Sequence, residues 1–377
     1  MKSLFLLIYC AIISGVSIYS LKEPAYNWDI LPYMGVILSY EKTDIKTIHD
    51  SVYEIAKEQI PSTFYNRLID PSSKYRNRVA QSPEAFHFQL PFYVVKPLYT
   101  GVSYLFYKAG ASLLMATVWP SSISYFLIGL LWFYWLQKYW RVLFAFAGSL
   151  LIMFSAPLLS VANLSTPDAL SGLLLFAAMY AVIEIRSLAL TFLFLVLSIF
   201  ARLDNIIPAV FFLITLAFMN KWNPKIPARK LLLILTIILL SYFVVSFNAR
   251  SFGWSLFYYP TFIKQLNSSY ITNSTFVFKD YIVLAKSQVM TGLFFSSLSL
   301  FFFLVLLLLW NSQVFRFSRL TIEQTFAIVF VLIIMIRFLL QPLITDRLYI
   351  PYYLSVIIFL VKKYSSTINA GNFVKDE

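Results

Sequence analysis

Charge, cysteine, histidine and glycine are all scarce in this chain. Of its 377 residues only 12% are charged, against 60% hydrophobic and 19% aromatic, and mean hydropathy is +0.75. A soluble domain of this length carries about twice that share of charge, so the composition excludes one. The single cysteine, Cys10, excludes an internal disulfide, and with only His49 and His87 beside it a zinc site of His and Cys ligands is excluded too. The ten glycines form no phosphate-binding loop, and there is neither an internal repeat nor a low-complexity tract. Acids are scarcer than bases, 17 against 30, for a net charge of +13. The basic residues stand in short clusters at the ends of apolar runs, not in a stripe with interleaved aromatics. Membrane topology explains them, and nucleic acid does not.

Long apolar runs fill the remainder. Residues 231–245, 293–309 and 326–336 each approach the roughly 20 apolar residues that carry a helix across a bilayer. Helices are expected because lipid offers backbone polar groups no partners. The pattern predicts an all-α polytopic membrane protein, a single domain over 1–377 with about ten transmembrane helices. The first run follows Lys2 and lacks a small-x-small cleavage site before Lys22, so it reads as a retained anchor; the bulky Tyr9 before Cys10 argues against a lipoprotein. With Lys2 inside, the later spans fall at 120–137, 142–162, 169–185, 187–201, 206–220, 231–248, 292–310, 322–340 and 348–361. The inside connections then carry Lys138 and Arg141; Arg186; Lys221, Lys225, Arg229 and Lys230; Arg316 and Arg319; and Lys362 and Lys363. Every one is basic, and both termini are inside. Counting 92–108 as a further span would turn all these clusters outward. That stretch is therefore expected to be an outer interfacial helix, with Tyr93, Tyr99, Tyr104 and Tyr107 at headgroup depth.

Two outer segments remain. The first, 22–119, is expected to hold an amphipathic helix over 44–59, from the spacing of Ile45, Ile48, Val52, Ile55 and Ala56, then an exposed loop over 70–78. The second, 249–291, is aromatic and polar. Ionisable residues near the spans are few and come out on one side: Asp29, Asp168, Arg202 with Asp204, Arg250, and Asp346 with Arg347. Each has a plain structural reading. Asp29 can cap the next helix, Pro167-Asp168 can open one, and Arg202 and Asp204 can pair with each other. Arg337 and Arg347 can snorkel to headgroups, and the tyrosines can form an interfacial belt.

At Trp28-Asp29-Ile30-Leu31-Pro32-Tyr33, Lys96-Pro97-Leu98-Tyr99, Thr166-Pro167-Asp168-Ala169-Leu170, Ala201-Arg202-Leu203-Asp204 and Asp346-Arg347-Leu348-Tyr349 the chain resembles the GT-C superfamily of integral-membrane glycosyltransferases. That superfamily includes aminoarabinose and protein O-mannosyl transferases. The resemblance covers most of the chain and lies in the order and sidedness of these pieces. It implies transfer of a sugar from a polyprenyl-phosphate donor to a glycan, lipid or protein acceptor at the outer face, with inversion. On that resemblance Asp29 is the general base, with Asp168 and Asp204 as reserve acids. Arg202, Arg250 and Arg347 would bind the donor phosphate, and Trp28, Tyr33 and Tyr349 would contact sugar or lipid. Where many members carry a second acid after the first, this chain has Ile30 and Leu31, so no metal ligands are assigned and a divalent cation is left open. A bacterial inner membrane is the expected location. The alternative from another class is a transporter or flippase of lipid-linked saccharides, which would be expected to show repeats and midplane charges.

Overall fold

The computed structural model describes residues 2–219, 227–249, 276–310 and 320–373. Arg250 and the basic residues Lys221, Lys225, Arg316 and Arg319 lie outside them. The described residues are helical, with one isolated bridge pairing Ala25 and Leu164.

The long helices are α1 (Lys2–Lys22), α9 (Leu113–Leu136), α12 (Asp168–Tyr180, continued by a π-turn over Ala181–Ile185), α15 (Ala228–Asn248), α18 (Ile322–Leu340) and α19 (Ile350–Phe373). Five stretches are both long and apolar enough to cross a membrane: Ser3–Lys22, Leu113–Leu136, Asp168–Ile185, Arg229–Asn248 and Ile322–Leu340. The protein is therefore a polytopic helical membrane protein, with fewer full-length spans among the described residues than the roughly ten expected from apolar runs. Two of those runs are broken, and two more are single short helices. Residues 142–162 form α10 (Val142–Met153) and α11 (Ala156–Ala162), bent by 68° where Pro157 interrupts the helix. Residues 187–201 and 206–220 form α13 (Leu188–Ala201) and α14 (Ile206–Phe218) close to the expected bounds, each short for a full-length span. Residues 292–310 are split between α16 (Phe278–Phe295) and α17 (Leu298–Leu309). The split is capped from a distance: both carboxylate oxygens of Asp346 accept from the Ser297 N–H, at 3.1 and 2.8 Å.

The helices run between two polar ends. At one, Glu184 of the π-turn accepts from Trp135 Nε1 at 3.0 Å and from Tyr139, and pairs with Lys138 at 3.0 Å. Lys362 pairs there with Glu323 at 2.7 Å, and Lys363 donates to the Leu308 carbonyl at 2.8 Å. At the other lie Asp168, Arg202, Asp204, Arg337 and Arg347. Thus α12, α13, α18 and α19 each join one end to the other.

Residues 22–112 form a small helical layer over that second end, with α2 (Ile30–Ser39), α3 (Ile45–Gln59), α4 (Ser62–Leu68), α5 (Lys74–Gln81), α6 (Pro83–Gln89), α7 (Pro91–Val94) and α8 (Pro97–Lys108). The amphipathic helix is α3, capped by Asp44 on the Thr47 N–H and burying Ile48, Val52 and Ala56 against its neighbours. The expected loop over 70–78 is only partly a loop. Ser73 caps α5 there, and Val79 is buried beneath it. The single interfacial helix expected over 92–108 is two helices, α7 and α8, because Pro97 bars Lys96 from helical backbone (φ −126°, ψ 57°). At 12 residues α8 is about 18 Å long, too short to span.

The first helix, α1, is locked to α9 through small residues, as membrane helices commonly are. Ser17 and Ser122 exchange hydroxyl-to-carbonyl bonds at 3.3 and 2.8 Å, and Tyr9 donates to the Gly129 carbonyl at 3.0 Å. A Cβ on Gly129 would already lie 3.0 Å from Ile13 and 3.1 Å from Met153. Gly129→Leu is therefore expected to cost about 1–3 kcal/mol by overpacking, read as a lowered Tm of the purified protein, while Gly15→Leu, where a Cβ meets nothing within 4 Å, leaves Tm nearly unchanged.

Candidate active site

The charged end is built from helix termini. Asp168 stands in the first turn of α12, where the helix dipole favours an anion. Arg202 follows α13, in extended backbone held by Asn205, whose amide donates to Ser198 O at 2.8 Å and Ser171 Oγ at 2.7 Å. Arg202 then bridges two acids. It pairs with Asp168 through Nη1 and grips Asp204 with two parallel bonds, Nε to Oδ1 at 3.1 Å and Nη2 to Oδ2 at 3.2 Å. Arg337, in the last turn of α18, pairs with Asp204 from the other side. The Arg347 Nε lies 2.9 Å from Asp168 Oδ2, which also accepts from Thr166 at 3.1 Å. The Asp168 side chain is 1% exposed and that of Arg347 28%, so the network runs from the protein interior to an open rim.

Asp29 approaches this network from the helical layer of residues 22–112. The bridge of Ala25 to Leu164, with Ala25 N–H donating to Asn163 O at 2.9 Å, ties its segment to the turn before Asp168. Asp29 occupies the N-cap position of α2 but makes no capping bond with its side chain. Its oxygens instead accept from Tyr93 OH and Asn27 Nδ2, each at 3.1 Å. Burial raises its proton affinity above that of an ordinary carboxyl, against the pull of Lys96 and Arg347. Lys96 is the second shifted group. Its ammonium lies 4.8 Å from the Tyr93 ring centre and 5.5 Å from that of Tyr33, and donates to Phe92 O at 2.9 Å. Burial, reinforced by Arg202, pushes its pKa down to about 8, although Asp29, Asp168 and Asp204 pull the other way.

The expected site residues are thus distributed unevenly. Asp29, Asp168, Arg202, Asp204 and Arg347 converge, and Arg250 lies outside the described residues. Asp168 and Asp204 are committed to arginines, whereas among the described residues Asp29 accepts only from the neutral Asn27 and Tyr93. Tyr33 is buried edge-on against Tyr93 and Tyr99, at ring separations of 4.9 and 4.7 Å, so its face is no open platform. Trp28 packs on Tyr75 at 5.7 Å. Tyr349 lines an apolar crevice of about 150 Å³, with Val289, Leu298, Phe302, Ile334 and Phe338 among the other walls. Lys96, Tyr93 and Arg337 were missed as site residues by sequence reasoning. Lys96 had one usable signal, a lysine stranded before a proline inside an apolar stretch. No group of three His, Cys, Asp or Glu side chains converges among the described residues.

No family model matches the chain, and neither a curated protein nor a solved structure does. The site's own geometry therefore has to carry any functional reading.

Two substitutions separate structural from strained charges. Asp168→Asn leaves Arg202 and Arg347 without their shared carboxylate and is expected to cost about 3–5 kcal/mol. Asp29→Asn is expected to stabilise. A carboxyl whose folded-state pKa is raised contributes stability present below its unfolded value of about 4 and lost as pH rises through the folded value. The gain in Tm of Asp29→Asn should accordingly be absent near pH 4, grow as pH rises and then level off.

Proposed function

We propose that this protein is a GT-C-like integral-membrane glycosyltransferase that moves a sugar from a polyprenyl-phosphate donor to a glycan, lipid or protein acceptor. What carries the reading is one juxtaposition: a carboxyl of raised proton affinity, accepting only neutral hydrogen bonds, beside a layer of buried arginines and a lysine at one end of an apolar bundle. A prenyl tail remains in lipid and in the crevice beside Tyr349, which brings its phosphate to the depth of Arg347, Arg202 and Lys96. Arginine pairs with phosphate oxygens in two-point fashion, and lysine adds a point charge. Among the described residues the buried Nε–H of Arg337 has no hydrogen-bond acceptor, which fits a cluster that can take up a further anionic oxygen.

The reaction follows from these positions. The acceptor hydroxyl oxygen attacks the anomeric carbon as the bond from that carbon to the phosphate oxygen breaks. The hydroxyl proton passes to Asp29, and the electron pair of the broken bond leaves on the polyprenyl phosphate. Lys96, Arg202 and Arg347 stabilise the charge that develops there. Attack opposite the phosphate inverts the anomeric centre. Asp168 and Asp204 hold the arginines in place, and their commitment to those pairs leaves Asp29 as the base.

The membrane arrangement belongs to the same proposal. About ten helices cross, α13, α14 and α17 being short ones, with both termini in the cytoplasm and the site on the outer face of a bacterial inner membrane.

Cells lacking the protein, complemented at matched membrane levels, test the reading. Wild type is expected to restore a missing surface sugar. Asp29→Asn should leave transfer down by about a hundredfold or more, with the prenyl-linked donor accumulating. Full restoration by Asp29→Asn would remove Asp29 from catalysis. Accumulation of donor on the inner face alone would favour the flippase alternative. The purified enzyme should also show a bell-shaped pH profile. Its acid limb, from Asp29, should lie above the ordinary carboxylate range, and its alkaline limb should fall near 8 as Lys96 loses its proton. Lys96→Arg should move only the alkaline limb, to higher pH.

A further inference from the structure

Resting on Asp29 as the base, we infer that the acceptor is a saccharide, held on the outer-layer side of Asp29 by the amides of Asn27 and Gln89 and the aromatic corner of Trp28 and Tyr75. Inverting displacement puts the attacking oxygen opposite the leaving phosphate. The arginines belong to the helical bundle, so attack comes from the layer of residues 22–112, where Asn27 bonds Asp29, Trp28 precedes it in the chain and packs on Tyr75, and Tyr75 donates to Gln89.

Those residues carry unmet hydrogen-bonding capacity. Gln89 is 1% exposed; its Oε1 accepts from Tyr75 OH at 2.9 Å, yet its Nε2 has no partner. Asn27 donates to Asp29 through Nδ2 at 3.1 Å, while its Oδ1 is buried and unpartnered. Buried amides are almost always satisfied, so two half-satisfied ones, Asn27 bonded to Asp29 and Gln89 bonded to the Tyr75 that feels its charge, point to a ligand. One offers a donor and the other an acceptor. Sugar hydroxyls do both at once, and neighbouring hydroxyls on one ring can meet the two amides together. A seryl side chain supplies a single hydroxyl, and an alkyl chain supplies none. The apolar side of a sugar ring needs a flat wall, and Trp28 and Tyr75 form one, with ring centroids 5.7 Å apart at 55° and the Arg76 guanidinium 5.7 Å from the indole. Both rings are half-buried, so part of each faces the surface. The aromatic tyrosine also sits close enough to Asp29 to feel its charge.

The test is saturation-transfer NMR on the full chain in lipid nanodiscs. The probes are a set of methyl hexopyranosides, with N-acetylserinamide and dioctanoylglycerol as non-sugar probes. At least one glycoside is expected to bind wild type and Asp29→Asn. Its affinity should fall by about fivefold in Gln89→Leu, the consequence of one lost neutral hydrogen bond, and should fall also in Trp28→Ala. Farnesyl phosphate binding, unchanged in Gln89→Leu, shows that the variant is folded. Three results would overturn the inference: no glycoside binds, the glycoside signal is indifferent to both variants, or only a non-sugar probe depends on Gln89. Failure of farnesyl phosphate to bind wild type would instead count against the donor assignment, and the saccharide inference would still be decided by the glycoside signal.

Discussion

The charged end of this molecule depends on the pairing of Arg202 with Asp168 and Asp204. A guanidinium taken out of water is tolerable only when carboxylates surround it, and the same holds for each acid in turn. Meeting that condition brings the start of α12, the end of α13 and, through Arg337 and Arg347, the end of α18 and the approach to α19 to one place. The opposite end is tied by a second, smaller set of charges around Glu184 and Lys362. Between them the helices need only apolar packing, and the described core there is aromatic and aliphatic.

Asp29 and Lys96 stand outside that arrangement of mutual satisfaction, and this is what makes them chemically interesting. Neither forms a direct ion pair among the described residues, yet both are withdrawn from water next to strong charges. The result is a carboxyl more basic than usual and an ammonium more acidic than usual, joined through Tyr93, whose ring faces Lys96 and whose hydroxyl bonds Asp29. Their strain is a cost to stability that a purely structural pair would avoid, the pattern expected where function sets the side chain.

Much of this was legible in the sequence because charge is so rare there. In an apolar text, Asp168, Arg202, Asp204 and Arg347 mark the ends of helices, and sidedness alone gathers them on one face. The capped helix α3 was equally readable from its spacing. Features that depend on remote partners were not. Arg337 looks like a snorkelling residue until Asp204, 133 residues earlier, is found beside it. The break between α16 and α17 lies inside a continuous apolar run, and its capping acid is 49 residues downstream. Tyr93 reads as one more interfacial tyrosine, since nothing local reveals that its hydroxyl meets Asp29, 64 residues away. Helix length was overestimated for a related reason: hydropathy reports apolar residues without regard to the breaks made by Pro157 and Ser297.

The most direct measurement is an electron cryomicroscopy structure of the protein in nanodiscs with a prenyl phosphate bound. The account requires the phosphate within hydrogen-bond distance of Arg347 and Lys96, on the bundle side of Asp29, with the prenyl chain running past Tyr349 into the apolar crevice. A phosphate bound at the Lys138 and Lys362 end, or a lipid that leaves Lys96 and Arg347 untouched, would contradict it.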